Sequence, residues 1–502
     1  MQFHCRHHTG FDRRSMLRVM GAGATLACGC IALSGCAANP ATGKQSLLGL
    51  TSINDDIRTG TKAYPDLIKA FGGAYGQDRL QSYITSIGRK LAAITELPDL
   101  PYEFTILNSP IINAMALPGG KIAISRGLLA LASTEAEVAG VLAHELGHVT
   151  ARHGAQGQNR AMLANIGLAV LGIATGSREL VNLGQSVAGT FLQKYSRDQE
   201  IQADSLGVRY LTRTGYDPTA MASFLASMRE QSQIEAEMNG LPPGAVDEYN
   251  IMASHPRTIE RVREATEKAN ATGVQGGAVG RTEYLDAING LLFADDPEQG
   301  FVRGRRFVHP GLKIAFEVPD GFVLRNQPDS VVAQGRGGAT IVFDMAAMGR
   351  ARSLAEHLQY EWVTDIPLQG LENLRVNGMA AATAVARIQG NQGSIDMRVV
   401  AYDAGQGRLY RLLFLTPPQA TRALSPGLRE TTYSLRRIEE AEAREVRPLR
   451  IIVAKAEAGD TVDALAKSLP FGAFNAAWFR ALNDLAPGQD VTIGQTLKIV
   501  AA

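Results

Sequence analysis

The chain has 502 residues, of which 45% are hydrophobic and 20% charged, and its formal net charge at pH 7 is +1. This length exceeds one ordinary hydrophobic core, so we expect about two to four domains. Acidic and basic residues nearly balance, and no basic stretch is interleaved with aromatic residues. That composition excludes nucleic acid as an expected partner.

The first 36 residues have the layout of an export signal. Basic residues from Arg6 to Arg18 precede an apolar stretch, 19–33, which is shorter than the ~20 residues that span a bilayer. It ends in Leu-Ser-Gly-Cys36, which resembles the cleavage box of bacterial lipoproteins and makes Cys36 the expected lipid-bearing residue. With Ala37 next, the resemblance implies a lipoprotein on the periplasmic side of the outer membrane, anchored to the membrane by its lipid. An ordinary secretory signal or an uncleaved anchor is the alternative, and the general and twin-arginine export routes both stay open.

All four cysteines of the chain lie at or before Cys36. A mature chain beginning there has no disulfide, although the compartment is oxidising. Its one thiol would carry lipid, so the ligands of any metal must be histidines and carboxylates. The following stretch, Asn39 to Lys44, indicates a tether and a short turn.

Three patterns precede the most informative stretch of the chain. Residues 77–94 have helical periodicity, residues 102–107 alternate as a strand does, and residues 111–123 indicate a hairpin interrupted by Pro-Gly-Gly. Further along, the apolar stretch 161–174 is too short to cross a membrane easily, so we interpret it as a buried or lid helix. A membrane-spanning segment is the alternative.

Residues 143–148 have the sequence Ala-His-Glu-Leu-Gly-His, which contains the pattern H-E-x-x-H. An α-helix turns once every ~3.6 residues, so His144 and His148 share one face and could hold one metal ion. Glu145 lies one step round the helix, within reach of a water at that metal. This is the arrangement of zinc peptidases, with two histidine ligands and a glutamate base. Apolar residues precede the pattern at Val138, Val141 and Leu142, as expected of a helix buried on one side. The alternative is an amphipathic helix with two surface histidines.

A zinc hydrolase needs a third protein ligand and leaves the fourth position to water. Glu200 and Asp204 share a face of a second predicted helix, and we take Glu200 as the third ligand. Asp204 is better placed to orient a histidine ligand or an arginine. The alternative for this pair is a solvated acidic helix face. His153 lies five residues beyond His148, off the metal face, and is expected to be a plain surface or core histidine.

Four motifs of the sequence together resemble one metallopeptidase family, which includes the CAAX prenyl endopeptidases, HtpX and the periplasmic proteases BepA and LoiP. Besides H-E-x-x-H, they are S-R-x-x-E-x-x-A-D at 196–204, N-A-M-A-L-P-G-G at 113–120, with Met115 where the family usually has Phe, and S-H-P-x-x-x-x-R at 254–261. The resemblance covers residues from about 40 to 265. It implies a mostly helical zincin-type (gluzincin) domain with a small antiparallel sheet, and one Zn²⁺ per chain.

The resemblance also assigns roles to three further residues. The hairpin would offer a strand edge to an extended substrate, and Asn113 would contact the substrate backbone, unless it only forms the turn. His255 would hydrogen-bond the oxyanion, with Arg261 and Asp204 supporting it. Without substrate, His255 could instead occupy the fourth zinc position and hold the enzyme latent. The structural alternative is a histidine that caps the start of a helix before Pro256.

The remainder of the chain predicts a linker at 269–300, an α+β accessory domain of antiparallel strands at 301–440, and a small βααβ domain at 447–502. Within the accessory domain we expect helices at 353–363 and 425–434, the second with Pro426 at its first helical position. The last domain resembles a LysM module, which implies contact with peptidoglycan. An insertion at 468–474 departs from that pattern, so a protein-contacting remnant is the alternative.

The sequence therefore predicts a lipid-anchored zinc endopeptidase of the cell envelope. The family resemblance implies unfolded or misassembled envelope proteins as substrates. Two rivals stay open, a non-proteolytic chaperone or scaffold tethered by lipid, and a hydrolase that acts on peptidoglycan.

Overall fold

The computed structural model describes residues 37–46, 48, 50–159, 195–238, 240, 259–390 and 393–502. The predicted signal segment with Cys36, the apolar stretch 161–174 and the loop with His255 lie outside the described residues. None of the helices in the described ranges combines the length and the apolar composition that crossing a membrane requires.

The first part of the chain is mostly helical, with a two-stranded and a three-stranded sheet. Its elements are β1 (Ala37–Ala38), β2 (Gln45–Ser46), α1 (Ile53–Ala70), α2 (Asp78–Ala92), β3 (Glu103–Leu107), β4 (Ala114–Leu117), β5 (Lys121–Ser125), α3 (Arg126–Leu131), α4 (Glu135–Thr150), α5 (Arg197–Thr214), α6 (Ala220–Met238), α7 (Ile259–Ala271) and α8 (Arg281–Ile288). The two-stranded sheet consists of β1 and β2, and the three-stranded sheet of β3, β4 and β5.

Helix α4, which carries the H-E-x-x-H pattern, lies at the centre of this part. It begins where the Thr134 side chain accepts a hydrogen bond from the backbone N–H of Glu137. Every residue from Ala136 to Thr150 is buried. The expectation of a helix buried on one side is therefore wrong, because α2, α5, α6 and the sheet pack against it from several directions.

The sheet beside α4 has the strand order β3-β5-β4. The predicted hairpin is confirmed, with β4 antiparallel to β5, but β3 runs parallel to β5, so the expected purely antiparallel sheet is in fact mixed. At the hairpin turn Gly119 has φ +78°, and a Cβ there would lie 2.4 Å from Ile57 Cα, so only glycine fits. Strand β4 forms one edge of the sheet and packs against α4.

Two stretches expected to be loose are packed. In the predicted tether, Asn39 is buried and its Nδ2 donates to the carbonyl of Ala151, 2.8 Å away at the end of α4. In the predicted linker, Tyr284 and Ile288 of α8 are fully buried. The sequence analysis took this segment for a linker because of its Gly-rich composition up to Gly280, although the apolar residues of α8 follow directly.

The central part of the chain is an α+β unit of antiparallel strands, as predicted. Its larger sheet has the order β10-β11-β12-β16-β15-β14-β13 and its smaller one β17-β9-β8-β7. The strands are β7 (Phe301–Arg303), β8 (Arg306–His309), β9 (Ile314–Glu317), β10 (Val323–Asn326), β11 (Ser330–Gln334), β12 (Thr340–Ala347), β13 (Gln369–Val376), β14 (Met379–Gly390), β15 (Gly393–Gly405), β16 (Arg408–Thr416) and β17 (Arg436–Arg437), preceded in the chain by β6 (Leu292–Phe293).

The helices of this unit are α9 (Leu354–Glu356), which continues as a π-helical turn over His357–Trp362, α10 (Pro418–Ser434) and α11 (Glu440–Glu445). Helix α10 begins seven residues before the predicted start, with Pro418 in its first turn. Pro426, expected at the first helical position, lies inside the helix instead. Its ring is on an exposed face, where water can satisfy the carbonyl that proline leaves without an N–H donor.

The end of the chain has the predicted order strand–helix–helix–strand, with β18 (Leu449–Lys455), α12 (Val462–Leu465), α13 (Asn475–Asn483) and β19 (Thr496–Ala501). Strand β18 pairs with β19 on one side and with β6 on the other. Its apolar residues belong to the same hydrophobic cluster as those around α4. This unit is therefore packed onto the first part of the chain, and its kinship to LysM modules stays a prediction.

Candidate metal centre

The three residues predicted as metal ligands meet at one point. The Nε2 atoms of His144 and His148 lie 3.0 Å apart. Glu200 Oε2 lies 3.6 Å from His144 Nε2, and Glu200 Oε1 lies 3.5 Å from His148 Nε2. All three side chains are buried. Within the described ranges, this is the group of histidine, cysteine and carboxylate side chains that could share a metal ion.

The spacing of these atoms fits zinc. Tetrahedral ligands at the usual zinc distances of ~2.0–2.2 Å stand about 3.3–3.6 Å from one another. The two distances from Glu200 fall in or near that range, and the separation of the two nitrogens is slightly shorter. The donor set of two imidazoles and one carboxylate is that of a hydrolytic rather than a purely structural zinc site.

The two helices that supply the ligands approach closely because of glycine. Gly147 of α4 faces α5, where a Cβ would lie 3.0 Å from the carbonyl oxygen of Ala203 and 3.1 Å from its Cα. Gly207 of α5 faces α4 in turn, and a Cβ there would lie 3.3 Å from the backbone nitrogen of His144. This contact carries Glu200, one turn before Ala203, towards the two histidines.

Asp204 and Arg261 surround the ligands with hydrogen bonds. Asp204 Oδ1 lies 2.8 Å from His144 Nδ1, and Asp204 accepts two bonds from Arg261, from Nε at 2.9 Å and from Nη2 at 2.8 Å. Arg261 Nη1 lies 2.8 Å from Glu200 Oε2. Asp204, predicted to orient either a histidine or an arginine, contacts both.

Charge keeps this group ionised although it is buried. Burial alone would raise the pKa of the Asp204 carboxyl, but the charge and hydrogen bonds of Arg261, together with the His144 contact, hold that pKa well below its usual value. Burial would likewise lower the pKa of Arg261, which Asp204 and Glu200 raise instead. The fork of Arg261 thus ties the ligand carboxylate to the aspartate behind His144.

A family model described as peptidase family M48 matches residues 78–269, which include all of these side chains. This stretch is a peptidase family M48 domain. The resemblance drawn from the four motifs is thereby confirmed, and the chain carries a metallopeptidase domain.

Curated relatives of the M48 domain point the same way. The chain is 31% identical over 229 residues to the beta-barrel assembly-enhancing protease of Yersinia pestis, covering 43% of this chain and 45% of the relative. It is 30% identical over 200 residues to the protein of that name in Escherichia coli (strain K12), covering 38% and 39%. It is 38% identical over 128 residues to the mitochondrial metalloendopeptidase OMA1 of Arabidopsis thaliana, covering 25% and 26%. The chain spans less than half the length of each of these three relatives.

His153 in the M48 domain contacts one of the predicted ligands, which the sequence analysis did not predict. Its Nδ1 lies 2.8 Å from His148 Nδ1, and its Nε2 lies 2.7 Å from Gln202 Oε1. Helix α4 ends at Thr150, and Arg152 has φ +52°, which turns the chain so that His153 comes back beside His148. A non-glycine residue in the left-handed region gives no warning in the sequence.

Tyr195 also contacts His148. The two rings stack with centroids 3.9 Å apart and planes 22° from parallel. Burial raises the pKa of the Tyr195 hydroxyl, and the nearby carboxylates of Glu145 and Glu200 raise it further, so the phenol stays neutral. The ring of His148 is therefore held both at its edge and on its face.

An apolar cavity opens beside the ligands of the M48 domain. Glu145, His144 and Arg261 form its polar end, and Asn113 lies at its rim where β4 begins. Its apolar walls come from α3, α4 and α6 and consist of Leu128, Val141, Met221, Phe224, Leu225 and Met228, with Ala114. The backbone N–H of Asn113 donates to Ser125 Oγ, 3.1 Å away, which fixes the start of β4. The cavity thus joins the metal centre to the edge strand.

Proposed function

We propose that the chain is a zinc-dependent endopeptidase that cleaves extended segments of unfolded or misassembled envelope proteins. The observation that carries the proposal is the cluster of His144, His148 and Glu200 in an M48 domain, with Glu145 beside it at the polar end of a cavity. A site of this kind needs all four side chains, and each is a buried side chain on a helix, which leaves it little freedom.

In this proposal His144, His148 and Glu200 hold one zinc ion. The bound ion would polarise the scissile carbonyl and lower the pKa of a water towards ~7. Glu145 takes a proton from the attacking water and delivers it to the leaving amine. Its position next to His144 in the sequence, with its side chain in the cavity wall, supports that role.

Binding of the substrate would use the edge of the small sheet. An extended segment can pair with β4, an edge strand, through backbone hydrogen bonds, as peptides do at the edges of other sheets. Asn113, at the rim, would contact the substrate backbone, and an apolar side chain next to the scissile bond would enter the cavity. Unfolded proteins expose such extended apolar segments, and two relatives are named for the enhancement of β-barrel assembly.

Stabilisation of the oxyanion is assigned to His255 and Arg261. Arg261 lies in the cavity wall, and its bonds to Asp204 and Glu200 would hold the guanidinium in place. These contacts support the position that the proposal gives to Arg261. His255 lies outside the described residues. A role of His255 as a fourth ligand in the resting enzyme is the competing hypothesis for that residue.

We further propose that the enzyme is anchored by lipid at Cys36 on the periplasmic side of the outer membrane. The packing of Asn39 against the end of α4 supports a short connection, since three residues span at most about 10 Å. The active site would then lie close to the membrane surface. Residues 37–268 would form the peptidase domain and 301–440 an accessory domain. Residues 447–502 would form a LysM-like domain, through which the enzyme could contact peptidoglycan.

The proposed activity is tested with the purified full-length chain and an unfolded protein such as reduced casein. We expect cleavage that stops with a zinc chelator and returns when zinc is restored. Absence of cleavage together with suppressed aggregation of the substrate would favour the lipid-tethered chaperone. Release of muropeptides from peptidoglycan, without cleavage of casein, would favour the peptidoglycan hydrolase.

A further inference from the structure

We infer that His153 and Gln202 act as positioning residues that fix which nitrogen of His148 is free to bind the metal. The inference rests on the proposed zinc site and adds two residues to it. His148 and His153 are both buried, and the bonds from His148 to His153 and from His153 to Gln202 form one continuous chain.

The chemistry of imidazole fixes which atom donates and which accepts in each of these hydrogen bonds. A neutral histidine has one protonated nitrogen and one with a free lone pair, and only the latter binds metal. His148 Nε2 faces His144 and Glu200, so the proton of His148 must be on Nδ1. That proton points at His153 Nδ1, which must accept it. His153 is then protonated at Nε2 and donates to Gln202 Oε1, an atom that can only accept.

The opposite direction is incompatible with the metal centre. If the Gln202 amide presented its NH2 group to His153, both imidazoles would change tautomer and His148 Nε2 would carry a hydrogen. The orientation of the Gln202 amide therefore decides whether His148 Nε2 has a lone pair for the metal. Partners of this kind, behind a metal-binding histidine, are known to matter for metal affinity.

The two histidine ligands have different partners. His144 lies against the carboxylate of Asp204, whereas His148 is held by a neutral imidazole and a neutral amide. Among the described side chains around the donors, Glu145, Glu200 and Asp204 are acidic and Arg261 is basic, so a divalent ion brings the total charge to zero. A second carboxylate behind His148 would make the occupied site negative. The side chains of His153 and Gln202 orient His148 without adding that charge.

The test measures the zinc dissociation constant of the full-length chain by competition with a chromogenic chelator. His153→Leu should weaken zinc binding about 10- to 100-fold, the usual effect of losing such a partner. His153→Gln, whose side-chain oxygen can accept the His148 proton, should restore most of the affinity. Gln202→Glu should bind zinc more tightly than the wild type, because a carboxylate strengthens the same chain of bonds. His357→Leu removes a buried histidine of the central unit and is the matched control, with no expected change.

Two readouts separate this inference from its alternatives. Circular dichroism and thermal unfolding of the metal-free variants show whether each folds, and zinc affinity is compared among those that do. Wild-type zinc affinity in folded His153→Leu overturns the inference, as does a His153→Gln variant as weak as His153→Leu. If the wild type itself binds no zinc, the proposed function fails and the inference with it.

Discussion

The Nζ atom of Lys498, in the last strand β19, donates to the carbonyl oxygen of Ala132 across 2.7 Å. It also donates to the carbonyls of Ala130 at 3.0 Å and Leu131 at 2.8 Å. These carbonyls end α3, whose Leu128 lines the cavity beside the metal centre. A side chain from the last strand thus supplies hydrogen bonds to the carbonyls that end a helix of the M48 domain.

Replacing that lysine should destabilise the whole fold. Lys498→Met keeps the apolar stem but leaves buried carbonyls at the end of α3 without a donor, so we expect a loss of about 2–4 kcal/mol in the free energy of unfolding. Chemical denaturation followed by circular dichroism measures it. Lys455→Met, on the exposed side of the neighbouring strand, is the control. Equal stability of the two variants would contradict the structural role.

The same lysine predicts a dependence of stability on pH. Burial lowers the pKa of Lys498 from 10.5 to about 8. Between these two values the unfolded chain binds the proton more strongly than the folded chain does, so raising the pH stabilises the fold. The stability of the wild type relative to Lys498→Met should therefore increase from pH 8 to pH 10, by up to about 3 kcal/mol. A constant difference across that range would show that the buried amine keeps its usual pKa.

Separation of α4 from α5 should weaken metal binding. In Gly147→Ala the new methyl group would push against the backbone of Ala203, and so move Glu200 away from the histidines. We expect zinc affinity to fall at least tenfold, measured by chelator competition. Gly207→Ala provides the comparison, because its closest contact, at 2.3 Å, is the flexible end of Met221. A larger loss in Gly207→Ala than in Gly147→Ala would contradict this account of the helix crossing.

Reduction of the cavity should change which peptide bonds are cut. Met228 is partly buried and lines the apolar wall, so Met228→Trp leaves less room for a substrate side chain. Cleavage-site profiling with a peptide library should then show a shift from large apolar to small residues at one position next to the scissile bond. Ala226→Trp, on the exposed face of the same helix, should keep the wild-type profile. Identical profiles for both variants would remove the cavity from substrate recognition.

The metal cluster could be predicted from the sequence because its geometry is local. Four-residue spacing on a helix brings His144 and His148 together whatever surrounds them, and the motif around Glu200 supplied the third donor. The contacts of His153 depend on where α4 ends, which is set by Arg152 in a left-handed conformation. Composition alone could not reveal that Tyr284 anchors the predicted linker.

The most direct test of the account combines zinc analysis with proteolysis of the full-length chain. The wild type should bind one zinc ion per chain and cleave an unfolded substrate. Glu200→Gln should bind zinc at least tenfold more weakly, since it removes a charged ligand. Glu145→Gln should keep one zinc ion per chain and lose cleavage by a factor of at least about 100. Undiminished cleavage by Glu145→Gln at full zinc occupancy, or unchanged zinc affinity in Glu200→Gln, would contradict it.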